Sequence, residues 1–257
     1  MLKTIESIAA DMEAWAREAG DIQLRHFRSG ALGIEEKQNA FDVVTIADKA
    51  SENLIIGHIK AKYPGHAILS EESGADNSDS PWRWIIDPLD GTTNYSNGLP
   101  VFCVSIALEY EGEIVAGIVF APYLREMFRA VRGKGATLNG KPIHCADKTE
   151  LRHAVLATGM PYDRAENPDN NLDNISRLCT QVRGIRRYGS AAIDLCYVAA
   201  GFFDGYWEMA INIWDIAAAS IIACEAGARV EPFKPSRPLS VCATNPDLFP
   251  LIFAQLR

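Results

Sequence analysis

The stretch Asp87-Pro88-Leu89-Asp90-Gly91-Thr92-Thr93-Asn94 sets two acids three residues apart around a stiff proline and follows them with a glycine and two hydroxyls. Proline fixes its own φ and biases Asp87 toward extended geometry, so a strand reading Trp82–Asp87 is expected to end there. Gly91 permits an unusual turn or the close approach of a ligand. Two carboxylates held ~4 Å apart repel by roughly 4 kcal/mol at an effective dielectric near 20. A fold keeps such a pair when a cation sits between them, and all-oxygen donors favour Mg²⁺, Mn²⁺ or Ca²⁺ over zinc. Backbone N–H groups after Gly91, at the start of a short helix, suit a phosphate.

Upstream of this stretch, Ile5, Ile8, Met12, Trp15, Ala19 and Ile22 recur at three- and four-residue steps and predict an amphipathic helix. A second helix is expected from about Ala47 to Lys62, capped by Thr45 and stopped by Pro64-Gly65. A short strand (Ala67–Ser70) and a polar loop (Gly74–Ser80) follow. Downstream, Val101–His144 is rich in β-branched and aromatic residues and is punctuated by Glu111-Gly112, Arg132-Gly133 and Asn139-Gly140, the pattern of an antiparallel meander. Beyond residue 150 the rhythm changes. Strands at His153–Thr158, Gly184–Tyr188 and Phe203–Met209 alternate with helices at Pro168–Val182, Ser190–Gly201 and Trp214–Gly227, and a last strand–helix pair is expected. Such alternation predicts α/β layering. The fold class is therefore mixed, an α+β half over residues 1–150 and an α/β half over 151–257, joined as one unit because no Pro/Gly/Ser-rich linker separates them.

The chain has 257 residues, 48% hydrophobic and 23% charged, which are ordinary globular values. Glu6 and Asp11 interrupt the N-terminal apolar residues, so no signal peptide is expected. The longest mostly apolar run, Ile216 to Cys224, is far short of the ~20 residues a bilayer demands. Six cysteines are scattered without a C-x-x-C pair, which predicts buried free thiols in a reducing cytoplasm. Five histidines lack metal-ligand spacing and argue against zinc or a haem. A net charge of −8 argues against nucleic acid as the main partner, and with so short an apolar run no membrane partner is expected. It would also repel a phosphate ester unless bound cations reverse the sign locally.

Other acids have two readings each. Glu71-Glu72-Ser73 follows a predicted strand and is either a solvated pair or an acid presented at a strand's end. Asp215, at the start of the apolar Trp214–Gly227 segment, reads as a helix cap, and an acid there can cap and bind metal at once. Asp48 sits near the start of the second helix, where it complements the dipole. Lys37 passes as surface charge. Arg183, Arg186 and Arg187 form a basic cluster, either a solvated face or a contact for a phosphate or a subunit.

Taken together these segments resemble the inositol monophosphatase family over almost the whole chain. The resemblance is carried by Asp42-Val43-Val44-Thr45-Ile46-Ala47-Asp48, Glu71-Glu72-Ser73, Trp84 to Asn94, Gly189-Ser190-Ala191-Ala192, and Trp214-Asp215 with Glu225-Ala226-Gly227. It implies a five-layered αβαβα sandwich of the sugar-phosphatase type. It also implies a lithium-sensitive, Mg²⁺-dependent hydrolase of phosphate monoesters, above all inositol-1-phosphate, using two or three ions (Mn²⁺ a substitute) and working as a homodimer. By that resemblance Glu71, Asp87, the Leu89 carbonyl, Asp90 and Asp215 hold the metals. Asp48 and Thr92, with Glu71, handle the attacking water. Gly91, Thr92, Ala191, Glu208 and Asp215 meet the substrate. Ser70, Ala228 and Asn212 depart from the family pattern. None of these three is an implied ligand, although Asn212 lies near the strand facing the substrate.

Other functions remain in view. A fructose-1,6-bisphosphatase would use Arg186 and Arg187 for a second phosphate. A 3′-phosphoadenosine phosphatase is disfavoured, since that branch carries Lys-Glu where this chain has Thr93-Asn94, and a histidinol phosphatase is disfavoured similarly. An interaction protein with a silent site is disfavoured by the presence of every implied ligand.

Overall fold

The computed structural model describes residues 2–30, 32–36, 43–76, 78–237 and 239–257. Asp42, which opens the first of the family motifs, and Lys37 lie outside them. Helix α1 (Leu2–His26) buries the stripe the periodicity marks: Ile5, Ile8, Met12, Trp15, Ala19 and Ile22 are each at most 8% exposed. Strands β1 (Glu35–Glu36) and β2 (Val43–Val44) form a small antiparallel pair before α2 (Ile46–Lys62). Thr45 caps α2, its hydroxyl accepting from the Ala47 N–H at 3.2 Å. Strand β3 (Ala67–Ser70) folds back on the two-residue β4 (Gly74–Ala75), so the expected loop begins with an edge strand.

Then come β5 (Trp82–Asp90), the short helix α3 (Thr92–Ser96), and a meander of β6 (Cys103–Tyr110), β7 (Glu113–Ala121), β8 (Glu126–Val131), β9 (Ala136–Leu138) and β10 (Lys141–Ile143). Two of its turns place both central residues at positive φ, Glu111 and Gly112 at 50° and 83°, Asn139 and Gly140 at 51° and 76°. Left-handed values at both positions match the twist of the flanking strands, which is why Asn-Gly marks such hairpins. The eight strands order as β10-β9-β8-β7-β6-β5-β3-β4, with only the β3–β5 pair parallel.

The second half contains β11 (Val155–Thr158), α4 (Leu172–Cys179), β12 (Gly184–Arg186), α5 (Ala191–Ala199), β13 (Gly205–Glu208), α6 (Ile213–Glu225), β14 (Arg229–Pro232), β15 (Val241–Thr244) and α7 (Phe249–Phe253). Its sheet orders as β12-β11-β13-β15-β14, parallel around β11 and antiparallel around β15. Two differences from the sequence reading have clear causes. Helix α4 is shorter than Pro168–Val182 because Asp163 and Asp169 are tied to Arg237 and Lys234, holding the preceding segment as a loop. The final strand–helix pair is instead two strands and a helix, since β14 hairpins onto β15.

Successive apolar residues in the middle of β5 serve two different cores. Trp84 and Ile86 pack with α1 and α2, whereas Ile85 faces the cluster shared with α5 and α6. That second cluster continues to Ala157, Tyr206 and Ala243 of the smaller sheet, whose far face packs Leu156, Trp207 and Cys242 against Leu178 of α4 and Phe249 and Ile252 of α7. The layers are thus α1/α2, eight strands, α5/α6, five strands and α4/α7, the αβαβα sandwich. Each fully buried aliphatic side chain contributes about 1.5–3 kcal/mol, and these interfaces hold the ends of β5, α5 and α6 together. All six cysteines are free, and Cys179 and Cys224 are exposed, against the expectation of burial. Among the described residues no helix is long and apolar enough to cross a membrane.

Candidate active site

Strand β5 does not end at Asp87. Asp87 pairs with Ser105 and Asp90 with Cys103, so three steps along β5 match two along β6. The extra residue is a bulge, where a proline without an N–H is tolerated. Regular alternation would send side chains three apart to opposite faces. The bulge instead registers both acids with two residues of one face of β6. Buried Gln23 of α1 donates Nε2 to the Pro88 carbonyl at 2.8 Å, and the Leu89 N–H donates to Asp87 Oδ1 at 2.9 Å. Gly91 takes φ 91°, and a Cβ there would stand 2.9 Å from the Val101 carbonyl oxygen. A larger residue is excluded by strain and by contact together.

Thr92 opens α3. Its hydroxyl lies 3.1 Å from Asp48 Oδ1 and 2.9 Å from the Leu89 carbonyl oxygen. Asp48 is fully buried, and its Oδ2 accepts the Thr45 N–H at 2.9 Å and the Thr45 hydroxyl at 2.5 Å. The acid thus completes the cap of α2 and reaches Thr92 with its other oxygen. Burial pushes its carboxyl up to about 6 against these hydrogen bonds, aided by the negative charge of Glu71. The Glu71 turn is held by Glu52 of α2, whose Oε1 accepts from the Glu72 and Ser73 N–H groups at 3.2 and 3.1 Å.

Asp90 is fixed from the opposite half: the Ser190 hydroxyl donates to Oδ2 at 2.6 Å and the Ala192 N–H at 2.8 Å. Ser190 is also the N-cap of α5. Asn94 staples the same junction, its Nδ2 donating to the Tyr188 and Val101 carbonyls at 2.6 and 2.8 Å. Asp215 sits in the first turn of α6 and accepts the Asn212 N–H at 2.7 Å. Asn212 therefore caps the helix that presents this acid.

Electrostatics tie the four acids together. Burial, then the charges of Glu71, Asp90 and Asp215, hold the Asp87 carboxyl well above the usual range. Burial and Asp90 do the same to Asp215, and burial pushes Asp90 up to about 6. No three His, Cys, Asp or Glu side chains among the described residues form a ready-made ion cage. Glu71 is near enough for its charge to act on Asp87, Asp90 and Asp215, and the oxygen-only donor chemistry of the four fits hard divalent cations.

A cleft of about 440 Å³ opens beside them. Its walls include Asp90, Gly91, Thr92, Ala191, Glu208 and Asp215, all expected from the sequence. Glu71, Asp87, Leu89 and Asp48 are linked to these lining residues, Asp87 through the charges of Glu71 and Asp90, and Asp48 and the Leu89 carbonyl through the Thr92 hydroxyl. Arg187 lines the cleft, but Arg186 is outside it, with Nη1 turned to the Ile185 carbonyl at 3.1 Å.

Sequence reasoning missed Gly159, Tyr162, Arg164 and Asp194, which also line the cleft. Asp194 carried a signal, an acid inside the apolar Ala191–Ala199 helix. It is 1% exposed and its Oδ1 has no hydrogen-bond partner, and burial followed by the charge of Glu208 holds its carboxyl well above the usual range. Glu208 Oε2 accepts the Tyr206 hydroxyl at 2.5 Å, and burial pushes its carboxyl up to about 7.

The family model described as "Inositol monophosphatase family" matches residues 4–254. The chain belongs to the inositol monophosphatase family. It is 47% identical over 201 residues to the inositol-1-monophosphatase of Synechocystis sp., covering 78% of this chain and 70% of that one. It is 41% identical over 224 residues to a protein of Pseudomonas aeruginosa named Nus factor SuhB, covering 85% and 82%. The inositol monophosphatase structure from Anabaena superposes with a TM-score of 0.88 at 37% identity, covering 98% of this chain and 96% of that one. Membership makes the protein a phosphoric monoester hydrolase, of a family that generally depends on metal ions.

Proposed function

We propose that this protein hydrolyses inositol-1-phosphate to inositol and phosphate with Mg²⁺, by in-line attack of water. The observation that carries this reading is that Asp90, Asp215 and the Glu208 carboxylate line one cleft. Such a set of acids suits a phosphate neutralised by cations together with the hydroxyls of a polyol.

Glu71, Asp87, Asp90, Asp215 and the Leu89 carbonyl would hold two or three Mg²⁺, with Mn²⁺ a substitute. Such ions, when bound, offset phosphoryl charge and make water more acidic. The remaining work falls to the chain's own groups. The Thr92 hydroxyl and Asp48, with Glu71, orient the attacking water and take its proton, and a carboxylate raised toward neutrality is the stronger base. Gly91 and Thr92 N–H groups hold the phosphate. Glu208 and Asp215 accept substrate hydroxyls, and Ala191 keeps that wall flat. Because the phosphoryl transition state is loose, positioning and charge neutralisation carry most of the acceleration. Residues 1–150 and 151–257 form the two halves of this unit, the second contributing Asp215 and Glu208. Inhibition by Li⁺, a homodimer and a cytoplasmic location belong to the same reading, and the net charge of −8 weighs against nucleic acid as the main partner.

A sugar bisphosphate, as in a fructose-1,6-bisphosphatase, is the second reading. It is favoured by Arg187 and Arg164 lining the cleft that holds the acids, since guanidinium groups recognise phosphate bidentately. Phosphate release from inositol-1-phosphate, fructose-1,6-bisphosphate, glycerol-2-phosphate and 3′-phosphoadenosine phosphate, with and without Mg²⁺, decides between them. The highest kcat/KM is expected for inositol-1-phosphate. A preference for the bisphosphate would replace the first reading with the second, and Mg²⁺-independent turnover would refute both.

A further inference from the structure

Parallel strands β11 and β13 run side by side, with Thr158 in register with Trp207. One residue further, at the carboxyl ends of both, stand Gly159 and Glu208, and both line the cleft. A ligand crevice at the carboxyl ends of neighbouring strands is common in α/β sheets. The relation between these two residues is unusually tight. A Cβ on Gly159 would coincide with the Glu208 carboxylate, overlapping its carbon and both oxygens. The carboxylate occupies the volume that a side chain at 159 would fill.

The backbone at Gly159 is not free to retreat. Buried Asn171 donates Nδ2 to the Gly159 carbonyl at 2.7 Å and to the Thr158 hydroxyl oxygen at 2.9 Å, while its Oδ1 accepts the Trp207 indole N–H at 2.7 Å. The Thr158 hydroxyl in turn donates to the Trp207 carbonyl at 2.7 Å. One asparagine therefore locks the residue before Gly159 to the residue before Glu208. A side chain added at 159 displaces the group able to move, the far end of Glu208. The fold survives, but the carboxylate leaves its place. That place matters because Oε2 is engaged by Tyr206, Oε1 makes no hydrogen bond among the described residues, and Glu208 lines the cleft with the Arg187 charge acting on it.

We propose that Gly159 is a specificity-determining position of this hydrolase: by lacking a side chain it seats the Glu208 carboxylate, and so sets the preference for leaving groups that carry hydroxyls. Gly159 acts through Glu208 and is a positioning residue. The inference rests on the reading of Glu208 as the acceptor for a polyol.

Two measurements on Gly159→Ala test it. The first compares inositol-1-phosphate with p-nitrophenyl phosphate, whose leaving group has no hydroxyl beyond the scissile oxygen, at saturating Mg²⁺. The ratio of their kcat/KM values is expected to fall about tenfold or more, through KM for the inositol ester, as a hydrogen-bonding contact is lost. Turnover of the aryl ester and the Mg²⁺ activation curve stay within about twofold of wild type. Glu208→Gln shows the same loss of selectivity, and the double variant no more. A wild-type ratio in Gly159→Ala, or an equal loss on both esters, overturns the proposal.

The second measurement needs no activity. Gly159→Ala is expected to lower Tm when Glu208 is present and to leave it unchanged in a Glu208→Ala background, where the overlapping atoms are gone. Equal effects in both backgrounds overturn the coupling. Failure of wild type to hydrolyse inositol-1-phosphate refutes the substrate reading alone, because the thermal cycle still reports the contact.

Discussion

The Thr92 hydroxyl and Asp48 Oδ1 lie 3.1 Å apart although the two residues are 44 positions apart in the chain. The contact joins the first turn of α3 to the first turn of α2, and Thr45 holds the other oxygen of the same carboxylate. A base fixed on two sides and raised to about 6 is ready to take a proton near neutral pH. Asp48→Asn keeps the shape and removes the basicity. Turnover of inositol-1-phosphate should fall by roughly 10²–10⁴, with the Mg²⁺ concentration for half activation little changed. Steady-state kinetics over a Mg²⁺ series checks this, and near-normal turnover would remove Asp48 from the chemistry.

Buried acids also govern stability. Asp48 and Asp90 rise from 3.8 to about 6, and Glu208 from 4.5 to about 7. A folded state with raised carboxyl pKa values binds more protons than the unfolded chain between the two values. The stability this contributes is fully present below about 4 and is lost as pH rises through 6 to 7. Metal-free protein should therefore melt higher at pH 5.5 than at pH 7.5, and added Mg²⁺ should narrow the gap by stabilising the ionised acids. Differential scanning calorimetry at the two pH values, with chelator and then with Mg²⁺, provides the readout. A chelated protein that melts higher at pH 7.5 would contradict the account.

Helix α6 reaches the large sheet at a glycine. A Cβ on Gly117 of β7 would lie 2.5 Å from the Ala218 carbonyl oxygen and 2.9 Å from its Cα. Both are backbone atoms of the helix that carries Asp215, so turning the Ile221 side chain, whose Cγ2 would lie at 2.6 Å, cannot by itself relieve the contact. Gly117→Ala should destabilise by about 1–3 kcal/mol in urea unfolding and reduce turnover by moving Asp215. An unaltered unfolding midpoint would show that the helix yields freely.

The segment between β11 and α4 carries Tyr162 and Arg164 to the cleft and is tied back by a two-pronged pair, Asp163 Oδ1 and Oδ2 to Arg237 Nη2 and Nη1, each at 2.7 Å. The Arg237 hydrogen bonds hold the Asp163 carboxyl down at about 2. The Asp163 side chain is 44% exposed, so solvent screens the pair and its loss should cost under about 1 kcal/mol. Asp163→Ala should instead raise KM several-fold, since an untethered loop offers the substrate a poorer wall. A rise in KM no larger than the scatter between repeats would show that the loop keeps its place without the tether.

Much of this was legible in the chain because it is local. The α1 stripe, the Thr45 cap and the Asn139-Gly140 turn are each decided by residues within a few positions of one another. The paired acids were legible as a pair, but not the β5 bulge that places them together, because register depends on β6. Glu71, Asp87, Asp90 and Asp215 came from motif resemblance; burial and mutual charge penalise Asp87, Asp90 and Asp215, a cost that bound cations would offset. Gly159 carried no signal, since the atom that requires it belongs to Glu208, 49 positions later. Arg186 and Arg187 looked equivalent in sequence, and only the path of the chain after β12 turns one into the cleft and the other away. Asp194 was passed over, although an acid inside an apolar helix is a local signal, and it lines the cleft.

Glu71, Asp87, Asp90 and Asp215 are expected to collect divalent cations jointly. Calorimetric titration of Mg²⁺ into wild type and Asp90→Asn tests it most directly, because Asn keeps the volume and loses the charge. Saturable binding by wild type, weakened about tenfold or more in the variant with no loss of metal-free Tm, is the predicted result. Equal affinity in the two proteins would contradict it.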